Sequence, residues 1–159
     1  MQPGAETGRL TISELLACAA RANAAASAVL APERPPLSYS ALHTLVACTG
    51  VHLRSLGVER RDRVAVVLAN GPEMATSFLA VAAAATCAPL NPNYVASEFE
   101  FYLKDLAPKL VLVREGVESP VRAVAGALGI RVVELRVDAH AAAGEFTLDA
   151  PDNGAAVDD

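Results

Sequence analysis

The spacing of apolar residues switches repeatedly between a helical and a strand period along the chain. Thr11, with Glu14 three residues on, forms a capping box, and Ile12, Leu15, Leu16 and Ala19 follow at the spacing of one helix face. Ser27 to Ala31 reads as a short strand closed by Pro32-Glu33-Arg34-Pro35-Pro36, and Leu37-Ser38-Tyr39 as a short extended piece. A longer helix runs on to Leu56, with Leu42, Leu45, Val46, Thr49, Leu53 and Leu56 on one face and Gly57 as its stop. Arg63 to Ala69 is an unbroken valine-rich run, the pattern of a parallel strand covered on both faces.

Asn70-Gly71-Pro72-Glu73 reads as a helix start, with a capping residue, a proline in the first turn and a carboxylate near the positive end of the dipole. The helix behind it, to about Thr86, is apolar all round, so both of its faces should be covered. Cys87 to Leu90 is a strand, and Asn91-Pro92-Asn93-Tyr94 turns the chain. Ser97-Glu98-Phe99-Glu100 reads as a second capping box, with Phe99, Tyr102, Leu103 and Leu106 as the buried stripe and Glu100 paired with Lys104. Lys109 to Val113 is a strand, Glu118 to Leu128 a helix stopping at Gly129, and Ile130 to Leu135 a strand. From Asp138 the text turns to Ala, Gly, Asp and Pro, with Glu145 to Leu148 as one further short strand. Strands alternate with helices, so the expected fold class is α/β, a mostly parallel sheet with helices on both faces. The expected organisation is a flexible N-terminus over 1–10, an α/β subdomain over 11–137 and an acidic tail or linker over 138–159.

Composition narrows the function classes. With 159 residues and 53% apolar content the chain can bury a core, although about a fifth of it is alanine, which contributes helix propensity more than buried area. The net charge of −5 lies in the tail: no Lys or Arg follows Arg136, whereas Asp138, Glu145, Asp149, Asp152, Asp158 and Asp159 do. No basic stripe and 4% aromatics give nucleic-acid binding little support. Met74 to Ser97 carries no charge, but its prolines, asparagines and alanines argue against a membrane span. The start of the chain lacks the charged and apolar regions of a secretory signal, so a cytoplasmic location is expected. Cys18, Cys48 and Cys87 each sit in an apolar stretch and read as buried reduced thiols.

Candidate chemistry is sparse. The chain has no G-x-G-x-x-G after a strand, no G-x-x-x-x-G-K-[ST] and no G-x-S-x-G elbow. His43, His52 and His140 lack metal spacing, and Cys48 with His52, at i and i+4, makes only two ligands. Glu98 and Glu100 point in different directions on their helix, which argues against a catalytic carboxylate pair. Arg60-Arg61-Asp62-Arg63 reads as a solvated turn entering a strand. Leu90-Asn91-Pro92-Asn93-Tyr94 is the best functional candidate, because open parallel sheets bind ligands beyond the carboxyl ends of their strands; a Pro-bounded turn with Tyr94 packed inward is the competing reading.

Several of these segments carry a resemblance. Leu37-Ser38-Tyr39-Ser40-Ala41-Leu42 resembles the first core motif of the adenylate-forming acyl-CoA synthetase superfamily, and Ala80 to Tyr94 its second. Gly57 followed by Asp62 to Val66 and Asn70 is similar to the family's strand after its first long helix. Glu98 to Leu103 looks most like the oxalate–CoA ligase branch. The resemblance implies a two-step reaction in which a carboxylate is adenylated by Mg-ATP and coenzyme A then displaces AMP. It also implies a Ser/Thr/Gly-rich phosphate loop with a Lys, a ribose-binding Asp and a Lys on a mobile C-terminal domain, none of which is in this sequence. No catalytic, cofactor-binding or metal-binding residue is therefore carried over. The expectation is an N-terminal fragment of an ATP-dependent acyl-CoA ligase acting on oxalate or another short carboxylate, inactive alone. Its expected partner is the remainder of the ligase, or a full-length homologue, through an apolar face. A peroxisomal location would require an address on a further C-terminus. The alternative is a freestanding α/β binding or interaction module without catalysis.

Overall fold

The computed structural model describes residues 10–149. The elements in chain order are α1 (Ile12–Ala22), β1 (Ser27–Val29), β2 (Leu37–Ser38), α2 (Tyr39–Ser55), β3 (Arg63–Val67), α3 (Pro72–Ala84), β4 (Thr86–Pro89), α4 (Ala96–Leu106), β5 (Leu110–Arg114), α5 (Pro120–Ala127), β6 (Arg131–Arg136) and β7 (Thr147–Asp149). β1 and β2 form a small antiparallel ribbon, and the other strands form a five-stranded sheet in the order β4-β3-β5-β6-β7. The first four of that sheet are parallel; β7 runs antiparallel to β6, with Leu148 opposite Leu135.

The period-2 alternation of the strands divides the core in two. Val64, Val66, Leu110, Leu112, Val133 and Leu135 face one side, where Leu42, Val46 and Leu53 of α2, Ala80 and Val81 of α3 and Leu16 of α1 meet them. Ala65, Val67, Val111 and Val113 face the other, against Phe99 and Leu103 of α4 and Val121 and Ala125 of α5. Helices on both faces explain why β3 and β5 are apolar without interruption. None of the described helices is long and apolar enough to cross a membrane.

The structure departs from the sequence pattern in several places. Residues 138–149 are not a detached tail. Ala143 and Phe146 are buried, and β7 closes the sheet edge. The segment is stitched down by Thr76 Oγ1 donating to the Gly144 carbonyl at 2.6 Å and by Ala143 N donating to the Pro35 carbonyl at 2.8 Å. The α/β unit thus runs past residue 137; the rest of the acidic stretch and residues 1–9 lie outside the described residues. Cys18 and Cys48 are exposed and only Cys87 is half-buried, because the first two lie on helix sides turned away from the core. Leu15 is exposed as well; α1 buries Leu16 instead.

The cap of α3 is Gly71, with no side-chain bond to the helix, so Asn70 is left free of that role. α4 starts two residues earlier than Ser97 suggests: its cap is Val95, whose N–H donates to Glu98 Oε2 at 2.9 Å. Glu100 therefore has no capping role and pairs with Lys104 at 2.5 Å. α3 is covered on one side only; Thr76 and Ser77 are buried there beside Ala80 and Val81, while Phe78 is 41% exposed.

Candidate functional site

At the carboxyl edge of the sheet the loops part. β3 leads into α3 on one face, while its neighbours β4 and β5 lead into α4 and α5 on the other. Such divergence leaves a crevice beyond the strand ends. Two adjoining clefts occupy it. One, of about 470 Å³, lies between the ends of β3 and β4 and is lined by Leu68 to Asn70, Met74 and Pro89 to Asn93. The other, of about 240 Å³, lies between the ends of β3 and β5 and is lined by Val67 to Ala69, Pro92, Asn93, Val113, Arg114 and Val117 to Ser119.

The cluster singled out from sequence is split by the fold. Leu90, Asn91, Pro92 and Asn93 line the first cleft. Asn91 Oδ1 accepts from Asn93 N at 2.9 Å, and Leu90 N donates to the Val66 carbonyl at 2.9 Å, which ties the turn to β3. Tyr94 turns towards α4, stacked on Tyr102 with ring centroids 5.0 Å apart and edge-on to Phe99 at 5.7 Å. Hydrogen bonding with Tyr102, then burial and nearby negative charge, hold the Tyr94 phenol above its usual value. The polar groups offered to the crevice are thus the Asn70, Asn91 and Asn93 carboxamides, Ser119, Glu118 and the Arg114 guanidinium.

Behind the crevice lies an ion cluster. Glu73, in the first turn of α3, is buried and bonded to Arg34 Nη1, and its second oxygen lies 3.5 Å from Arg114 Nη1. Arg34 also donates to the Ala142 carbonyl at 2.7 Å and, from two nitrogens, to the Ala141 carbonyl at 3.2 and 3.3 Å. At the neighbouring strand end Arg136 holds Glu115 at 2.9 Å and Asp149 at 2.5 Å. Its hydrogen bonds keep the Glu115 carboxyl below the usual range.

The remaining sequence candidates lie elsewhere. Arg60, Arg61 and Arg63 are exposed at the opposite, amino edge, where Glu59 N donates to Asp62 Oδ2 at 2.8 Å and closes the turn. Cys48 and His140 face a separate cavity of about 610 Å³ between α2 and the 138–147 segment. His52 Nε2 is buried without a hydrogen-bond partner. Among the described residues no group of three or more His, Cys, Asp or Glu could hold a metal ion. Sequence reasoning missed Arg114, Glu73 and Arg34. The signal for the first two was present: Arg114 ends an apolar strand at the predicted ligand edge, and Glu73 is the one charge in an otherwise uncharged helix.

In a mostly parallel α/β sheet, a crevice at a reversal of loop direction is the place where such folds bind ligands. The sequence matches the family described as AMP-binding enzyme over residues 16–157, and the chain belongs to that family. It is similar to the oxalate–CoA ligase of Saccharomyces cerevisiae, with 39% identity over 101 residues, 60% of this chain and 19% of the yeast protein. The oxalate–CoA ligase of Arabidopsis thaliana is 41% identical over 96 residues, 59% of this chain and 19% of the plant protein. Among solved structures, a benzoate CoA ligase from Burkholderia xenovorans LB400 shares the fold with a TM-score of 0.72 and 16% identity, over 87% of this chain and 30% of that one. The chain spans about a fifth of the length of the two curated relatives, in their N-terminal portion.

Proposed function

We propose that this chain is the N-terminal part of an ATP-dependent acyl-CoA ligase for oxalate or another short carboxylate, and that it does not catalyse the reaction alone. The observation that carries the reading is the family match over residues 16–157 together with a crevice that, among the described residues, offers a single cation, Arg114. Adenylation requires several donors and a cation aimed at a triphosphate as charge shifts in the transition state. One guanidinium and three carboxamides do not make up that set, so ATP, Mg and coenzyme A fall to polypeptide beyond these residues. The chain contributes the parallel sheet and one wall of the ligand crevice. The choice of oxalate rests on the two curated relatives, both oxalate–CoA ligases.

The partner in this reading is the remainder of a ligase or a full-length homologue. It would meet the outer side of α2 and α3, where Val51 and Phe78 are exposed. The test is carboxylate-dependent ATP–pyrophosphate exchange by the purified chain. Exchange at background level with oxalate, malonate and acetate is expected; robust exchange would overturn the claim that the chemistry lies elsewhere.

A further inference from the structure

We propose that Arg114 anchors an oxyanion, a carboxylate or a phosphate group, in the cleft between the ends of β3 and β5, with Glu73 as its positioning residue. The inference rests on charge and geometry in this chain. Two guanidiniums, Arg34 and Arg114, converge on the single buried carboxylate of Glu73, which is 8% exposed. One positive charge is therefore left over. Arg34 cannot present it, because its Nε and both terminal nitrogens already donate to Glu73, Ala141 and Ala142. Arg114 can: its side chain is 45% exposed, its one ionic contact among the described residues is the 3.5 Å approach to Glu73, and it lines the cleft.

A guanidinium with a free edge matches two oxygens of a carboxylate or phosphate at once. The cleft walls beside it are the buried Val67 and Val113 and the half-exposed Val117. Asn93 and Ser119 supply polar groups for the remaining oxygens. Glu118 lines the same cleft and makes no ion pair among the described residues, so it opposes an incoming anion. The opposition makes the sign of two substitutions differ: losing Arg114 weakens binding, and neutralising Glu118 strengthens it.

This step deepens the reading of the crevice as a ligand site but does not need ligase activity. Oxyanion binding by this chain, beside a folded chimera of it with a full-length oxalate–CoA ligase that forms no AMP, would leave Arg114's role standing while the ligase assignment fell. The test is a titration of the 159-residue chain with sodium oxalate and, separately, sodium phosphate, at constant ionic strength against sodium chloride, followed by ¹H–¹⁵N NMR. Saturable shifts at the Arg114 side chain, Asn93 and Ser119 are expected in the millimolar range. Arg114→Gln should weaken them about tenfold or more, Arg114→Lys less, and Glu118→Gln should tighten them. Glu73→Gln removes both the anchor and a negative charge: weaker binding with Arg114 still charged supports the positioning role, and tighter binding, as with Glu118→Gln, would overturn that role. Response to oxalate alone or to phosphate alone names the natural oxyanion. No saturable shift with either salt, shifts centred on Lys109 and Arg131 at the opposite edge, or an Arg114→Gln variant that still folds and binds equally would overturn the proposal.

Discussion

Gly144→Ala tests the attachment of the 138–149 segment most sharply. Gly144 has φ of +83°, in the left-handed region, and a Cβ there would stand 2.6 Å from Thr76 Cγ2 and 2.9 Å from the Pro72 carbonyl oxygen. Three costs combine. The backbone conformation itself is worth about 1–2 kcal/mol against a residue with a Cβ. Relieving the overlap forces α3 and the segment apart, at about 1–3 kcal/mol. The hydrogen bond from Thr76 Oγ1 to the Gly144 carbonyl is then stretched, a further loss of about 1 kcal/mol. The expected destabilisation is about 3–6 kcal/mol, read as a fall in the urea midpoint at unchanged slope.

Gly129→Ala is the control. Gly129 has φ of +68° with nothing within 4 Å of the added carbon, so only the backbone cost of about 1–2 kcal/mol applies. In a Thr76→Ala background part of the excess should vanish, since the nearest clashing atom is gone. Equal losses for Gly144→Ala and Gly129→Ala would refute the reasoning, because they would mean that the segment does not press on α3.

Other outcomes follow from the same structure. Phe146→Ala should cost about 3–5 kcal/mol in the same urea assay, whereas an unattached tail residue would shift it by less than about 0.5. Iodoacetamide should label Cys18 and Cys48 well before Cys87, as read by peptide mass spectrometry, because burial raises the Cys87 thiol to about 11. Since folding favours the protonated thiol, its contribution is complete below the ordinary value of 9.0 and is lost as pH rises towards 11; Cys87→Ala should remove that alkaline decline. Thr11→Ala should cost about 1 kcal/mol and raise the Glu14 carboxyl only part of the way to its usual range in an NMR titration, because the Thr11 N–H, the larger cause of its lowering, remains.

The parallel sheet was legible because burial on both faces writes valine and leucine continuously into β3 and β5. Helix ends were less so. Neither cap residue, Val95 of α4 nor Gly71 of α3, has a capping side chain of its own; at α4 the one side-chain signal is Glu98, which accepts from the Val95 N–H. In the 138–149 segment the short strand near Leu148 was legible but its attachment was not, because that relies on a small buried surface, Ala143 and Phe146, and on carbonyls that any sequence offers to Arg34 and Thr76. Position at a strand end did locate the crevice through Asn91-Pro92-Asn93. The Arg34–Glu73–Arg114 cluster could not be read, since its members are separated by 39 and 41 residues and are joined only by the fold.

The central claim is that these residues are a ligase platform whose nucleotide-gripping groups lie on other polypeptide. Its most direct measurement is oxalate-dependent AMP formation by a chimera in which residues 11–149 replace the matching segment of the Arabidopsis thaliana oxalate–CoA ligase. A folded chimera that forms AMP, beside a lone chain that forms none, is predicted. A folded chimera without activity, or turnover by the lone chain, would contradict it.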